Sequence, residues 1–167
     1  MFLVRIPYMK KLKEELIMRY ILMILTIFTG ELFWKDHVER EIPEGSSRKA
    51  LHDTIILTKH HNYGAAFNTG ERRPGIVKGI SVLLTLLATI FFICSFGAVG
   101  KGMLKFGLSL LLGGASSNTY DRLKRGYVVD YFRLNVPVKR IRNLIFNVSD
   151  FCIVAGALLV VLGEQEH

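Results

Sequence analysis

The chain has 167 residues, 50% of them hydrophobic, and 22 Lys and Arg against 14 Asp and Glu leave a net charge of +8. That length suits one domain, and a mean hydropathy of +0.32 with apolar residues gathered in long runs points to a bilayer, not to a soluble core. The interleaved basic and aromatic stripes of a nucleic-acid binder are missing, so no nucleic-acid partner is expected, and membrane lipid is the partner that the charge suits.

Residues 1–16 are polar and basic, and Ile17 to Trp34 is the first apolar run. A basic flank before an apolar run is how a secretory leader begins, but Gly30-Glu31-Leu32-Phe33-Trp34 offers no small-x-small cleavage site. An uncleaved transmembrane helix is predicted instead, anchored at the interface by Trp34. Glu31 and Lys35 are four residues apart and can pair along one helical face as an interfacial ion pair.

Residues 36–53 are charged and hold the turn Pro43-Glu44-Gly45-Ser46-Ser47. Thr54 to Lys59 is short and β-branched, the pattern of a strand. It leads into His60-His61-Asn62-Tyr63-Gly64-Ala65-Ala66-Phe67-Asn68. His52, His60 and His61 invite a metal reading, but neighbouring strand residues face opposite ways and no further ligand set stands near. They read as solvent-exposed loop histidines, and no metal or cofactor is expected.

Pro74-Gly75 precedes a second apolar run, Ile76 to Phe96, long enough to cross the hydrocarbon. Gly97-Ala98-Val99-Gly100 is a turn, and Lys101 onward forms a third helix in which Lys105 can snorkel. Gly113, Gly114, Ala115, Ser116 and Ser117 would let another helix, or a substrate backbone, approach closely, and helix packing is the commoner reason for such a cluster. Cys94 and Cys152 lie in apolar runs without a CxxC spacing and read as small hydrophobes.

Residues 118–145 mix charge with a strand-like piece, Tyr127 to Phe132. The last apolar stretch, Phe151 to Gly163, is too short to span alone. It reaches far enough only if Asn147 and Asp150 enter near the interface or deeper, which makes Asp150 a functional candidate. Asn147 is also placed to cap that helix, with Asp150 at its third position facing the positive end.

The expectation is therefore a single integral membrane domain over 1–167, with transmembrane helices at roughly 17–35, 76–96, 101–118 and 146–163. The polar segments 36–75 and 119–145 would share one side, and both termini the other. Because the long loops carry more Lys and Arg than the opposite side, the positive-inside rule read naively would put them in the cytoplasm.

Asp130 and Asp150 both have apolar sequence neighbours. Desolvation raises a carboxyl pKa, and two close carboxyls tend to share one proton. One ionised and one protonated Asp could hydrolyse a peptide bond through a general base and a general acid. The same acids could equally serve a proton relay in a small carrier.

Asn62-Tyr63-Gly64-Ala65-Ala66-Phe67 resembles the N-x-G-A-A-F motif of lipoprotein signal peptidases (signal peptidase II). Asn118-Thr119-Tyr120-Asp121-Arg122 with Gly126-Tyr127-Val128-Val129-Asp130-Tyr131 resembles that family's G-N-x-x-D-R…G-x-V-V-D-F block, and Phe146-Asn147-Val148-Ser149-Asp150 its F-N-x-A-D block. The resemblance covers about residues 17–163. It implies an all-α membrane protein of four transmembrane helices with a small extracytoplasmic β-cradle, in the bacterial cytoplasmic membrane, with both termini cytoplasmic and the long loops outside. The implied activity is removal of the signal peptide from diacylglyceryl-prolipoproteins before the lipobox cysteine. Asp130 and Asp150 would be the catalytic dyad, and Asn62, Gly64, Ala66, Asn118, Arg122 and Asn147 would bind substrate and shape the site, with Asp121 supporting Arg122 or its loop.

Three departures stand out. Glu31 and Lys35 replace the family's usual Asp and Lys, Ser117 replaces Gly, and Ser149 replaces Ala and adds a hydroxyl that could reach the dyad. An inactive lipoprotein-binding relative and a proton-coupled carrier are the competing expectations.

Overall fold

The structure, a computed structural model, describes residues 5–50, 53–65, 69–98 and 100–165. In chain order it runs α1 (Arg5–Glu41), β1 (Ser47–Ala50), β2 (Ile55–Asn62), α2 (Pro74–Ser95), α3 (Gly102–Lys124), β3 (Val128–Leu134), the single turn α4 (Lys139–Arg142), and α5 (Val148–Glu164). The fold is mostly helical with one small antiparallel sheet. The helices over Glu14–Glu41 and Pro74–Ser95 are long and apolar enough to cross a membrane. Leu83, Leu84, Phe91 and Ile93 on α2 and Val154, Leu158 and Val161 on α5 are well exposed. A large apolar surface of this kind marks contact with lipid or a partner.

Local chemistry sets the helix ends. Pro74 opens α2, where its fixed φ suits the helix and its missing N–H costs nothing. The third helix continues past Asn118, where the sequence stops being apolar. Its last turn closes through the Arg125 amide on the Asp121 carbonyl at 2.7 Å, and Gly126 at φ +87° turns the chain away. Asp121 and Arg122 are thus helical residues, not part of the loop that the sequence suggested.

The third helix is the centre of the bundle and packs against α1, α2 and α5. Ala88 and Phe92 of α2 bury against its Leu104, Leu108 and Leu112. Its contact with α5 is made close by glycines. A Cβ on Gly156 would lie 2.6 Å from the Gly107 carbonyl oxygen, and one on Gly107 would lie 2.8 Å from the Gly156 carbonyl. Small residues are how membrane helices bring their backbones together. Lys105 is buried and donates to the Ala98 carbonyl at 2.7 Å instead of snorkelling outward.

The sheet has the order β1-β2-β3 and sits at the end of the bundle where α1 and α3 finish and α5 begins. Val38 of α1 packs with Val129 and Tyr131 of β3 beneath it. The second strand runs on through Asn62, so His60 and His61 are strand residues. His61 is half-buried and stacked on Tyr127 with ring centroids 4.0 Å apart, its Nε2 lying 2.8 Å from Glu39 Oε1 without hydrogen-bond geometry. The exposed-loop expectation for these two fails because the β-branched run nucleates a strand longer than itself. His52 lies outside the described residues.

Candidate active site

Pairing of β2 with β3 shifts register between Leu57 and His60. Such a bulge re-aims the residues beyond it. Asn62 stands opposite Val128, so its side chain shares a sheet face with Asp130 two residues along. Its Nδ2 donates to Asp130 Oδ2 at 3.0 Å, and its Oδ1 accepts from the Gly64 amide at 2.9 Å.

The start of α5 supplies the second acid. Asn147 has extended backbone and caps the helix: its Oδ1 accepts from the Asp150 amide at 3.0 Å, while Asp150 Oδ2 accepts from the Asn147 amide at 3.0 Å. This reciprocal box fixes where Asp150 points. Asn147 Nδ2 then donates to Asp130 Oδ1 at 2.6 Å. One fully buried residue therefore holds both acids. Asn118 completes the set, its Nδ2 donating to Asp150 Oδ1 at 2.9 Å. All four carboxyl oxygens carry a hydrogen bond, and three of the four come from asparagine side chains.

Burial, then the charge of Asp150, lifts the Asp130 carboxyl from the ordinary carboxylate range to about 7, against the pull of its bonds from Asn62 and Asn147. Arg122 lies one turn beyond Asn118. Its Nη2 donates to the Gly64 carbonyl at 2.8 Å, pinning the loop after β2, and its Nε has no partner among the described residues. These polar groups form one end of a groove of about 1180 Å³ whose walls are mostly apolar side chains of α2, α3 and α5.

Other expected site residues are placed elsewhere. Asp121 is 1% exposed and turned away from the groove. It pairs with Lys35 at 3.1 Å and Arg125 at 2.9 Å and accepts from the Val129 amide at 3.2 Å. It therefore ties α3 to α1 and β3 and holds the turn between α3 and β3, the loop role expected for it, with no hydrogen bond to Arg122. Asn147 is too buried for substrate contact and positions the acids. Ala66 lies outside the described residues.

Glu31 and Lys35 do pair, inside the protein and not on its surface. They are 5% and 0% exposed and 3.8 Å apart, covered by partners from α3, β3 and α5. Lys35 Nζ donates to Asn118 Oδ1 at 2.7 Å and to Ser117 Oγ at 3.1 Å. With the ammonium on the oxygen side of that amide, its NH₂ must face Asp150. The Ser149 hydroxyl goes to Glu31 Oε2 at 2.8 Å and not to the acids. Tyr131 donates to Glu31 Oε1 at 2.6 Å, and burial and the Glu31 charge push its hydroxyl well above its ordinary range, which keeps it a donor. The spacing of Glu31 and Lys35 and the unusual Ser149 were the sequence signals for this cluster. Their partners, about a hundred residues away, left no mark that one chain could reveal.

Residues 21–164 match the family described as Signal peptidase (SPase) II. The lipoprotein signal peptidase of Caldicellulosiruptor bescii is 34% identical over 146 residues, which is 86% of this chain and 88% of that one. Its counterpart in Moorella thermoacetica is 30% identical over 155 residues, or 89% and 97%. A solved structure described as a bacterial membrane enzyme shares the fold, with a TM-score of 0.73 at 23% identity over 87% of each chain. Matched along most of its length by that family and by two such relatives, the chain belongs to the signal peptidase II family, bacterial membrane enzymes of the aspartic peptidase class.

Proposed function

We propose that this chain cleaves the signal peptide from diacylglyceryl-modified prolipoproteins just before the lipobox cysteine, using Asp130 and Asp150 as a dyad that activates water. The observation that carries this reading is the Asn147 bridge. One residue binds both carboxyls, at 2.6 Å and 3.0 Å, at the polar end of an apolar groove.

In this reading the pair holds one proton. The ionised acid takes a proton from water as the water oxygen attacks the scissile carbonyl carbon. The protonated acid donates to the carbonyl oxygen. Collapse of the tetrahedral centre passes a proton to the departing nitrogen and breaks the C–N bond. Asn62, Gly64, Asn118 and the free Nε of Arg122 offer donors and acceptors that hold the substrate backbone extended. The apolar walls suit a signal helix and acyl chains.

Four helices, α1, α2, α3 and α5, cross the bilayer in this proposal as one integral domain. The sheet and the segments 36–75 and 119–145 stand outside the cytoplasmic membrane, the termini inside, and membrane lipid surrounds the bundle. Support comes from the exposed apolar faces of α2 and α5 and from the position of the sheet at the acid-bearing end.

The test is cleavage of a purified diacylglyceryl-prolipoprotein in detergent by the wild type and by Asp130→Asn and Asp150→Asn. The wild type should cut once, and each variant should lose at least a thousandfold in rate. An uncut precursor, or variants as fast as the wild type, would end the proposal.

A further inference from the structure

The first turn of α5 is held from outside its own helix. Its first amide, Val148 N, donates to the Tyr131 hydroxyl of β3 at 3.0 Å. Its second, Ser149 N, donates to Glu31 Oε2 of α1 at 3.1 Å. Its third, Asp150 N, donates to the Asn147 cap. The leading N–H groups of a helix have no partner within the helix, and here each has a separate side-chain acceptor. Glu31 also receives the Tyr131 and Ser149 hydroxyls, so every bond it accepts comes from α5 or from the strand of Asp130. Tyr131 is the neighbour of one acid and Ser149 the neighbour of the other.

We propose that Glu31 is a positioning residue that clamps the α5 N-terminus to β3 and so sets the relative placement of Asp130 and Asp150, with the Tyr131 and Ser149 hydroxyls matched to its length. A carboxylate accepts up to four bonds and donates none. It can therefore gather two hydroxyls and an amide at one point while its charge favours the positive helix end. Glu31 and Ser149 are two of the departures named above, Glu for Asp and Ser for Ala, and Tyr131 stands where the quoted G-x-V-V-D-F motif ends in Phe. A carboxylate one methylene longer and two added hydroxyls that end on it form one matched set. Lys35 does not depend on Glu31 for a partner, since Asp121 lies nearer at 3.1 Å against 3.8 Å.

The inference rests on the proposed cleavage only for its kinetic readout. The experiment measures precursor cleavage and amide hydrogen exchange of residues 148–150 in the full-length protein in detergent. Glu31→Gln keeps the shape but turns a donor toward groups that themselves donate. It should speed exchange of these amides at least tenfold and lower kcat at least tenfold, with KM within twofold. Glu31→Asp, one methylene short, should behave alike. Glu31→Asp combined with Ser149→Ala, which leaves the Tyr131 acceptor for Val148 in place, should recover at least threefold of the kcat lost. Wild-type kcat and exchange in Glu31→Gln, or a double variant no better than Glu31→Asp, would overturn the clamp. A loss of melting temperature without the kcat change would reduce Glu31 to a structural residue and overturn it too. If the wild type leaves the precursor intact, the functional reading fails alone, and exchange still decides the clamp.

Discussion

Asp130 and Asp150 differ in what their partners ask of them. Asp130 takes both of its bonds from side-chain amides, while Asp150 takes one from an amide side chain and one from backbone. With Asp130 titrating at about 7 in the folded protein against 3.8 for its ordinary value, the folded state binds a proton that the unfolded chain releases. The stability this confers is complete below 3.8 and is lost as pH rises through about 7. Activity follows the same sign. In the proposed dyad, the pair loses its shared proton above about pH 7 and with it the general acid, so kcat/KM should fall by up to tenfold per pH unit. Asn147→Ala removes a donor that favours the ionised form of Asp130, and the falling limb of the pH–rate profile should move to higher pH. Lost capping should cost about 1 kcal/mol besides. A limb that stays in place in Asn147→Ala would show that Asn147 does not control the proton. Both acids and the Asn147 cap were legible in the sequence, because a carboxylate in an apolar run and a cap three residues before an acid are local patterns. The partners of Asp121 were not legible: Lys35 and Val129 meet it only after folding, and nothing local separates it from its neighbour Arg122.

At the scale of elements, the distance between α3 and α5 decides whether Asn118 reaches Asp150. Gly107 and Gly114 on α3 lie seven residues apart, as do Gly156 and Gly163 on α5. Gly114 faces Ser149 and Cys152, and Gly163 faces Leu104, so the two helices run antiparallel along a stripe without side chains. Gly156→Leu should force the helices apart, cost about 1–3 kcal/mol as overpacking, and lower cleavage by stretching the Asn118–Asp150 bond. Gly79→Leu is the control, because a Cβ at Gly79 meets nothing within 4 Å. Melting temperature and kcat measured on both variants check this, and equal effects would mean that close approach of α3 and α5 is irrelevant. The cluster from Gly113 to Ser117 announced close packing from the sequence. The pairing of Gly107 with Gly156 could not be read, since it depends on the antiparallel register of two helices that the chain joins through β3 and α4.

At the scale of the molecule, the sheet end carries the acids and also most of the Lys and Arg, which is why charge counting pointed the loops toward the cytoplasm. Folding accounts for part of that excess. Lys35 is buried against Asp121 and Glu31, Lys59 pairs with Glu39 at 3.5 Å, and Arg125 binds Asp36 and Asp121. Charges neutralised within the fold present little field to a membrane, so a count taken from sequence overstates the basicity of that side. The proposed orientation rests on chemistry: the acids and the sheet share one end, and in the proposed function that end meets a substrate displayed outside the cytoplasm. Single cysteines test it in a background where Cys94 and Cys152 are serine. Ser47→Cys lies on exposed β1, and Gln165→Cys lies just beyond α5 at the other end of the bundle. In intact spheroplasts a membrane-impermeant maleimide should label Ser47→Cys, and Gln165→Cys should react only after permeabilisation. The opposite pattern would place the acids on the cytoplasmic face, out of reach of exported prolipoproteins, and would rule out both the orientation and the substrate.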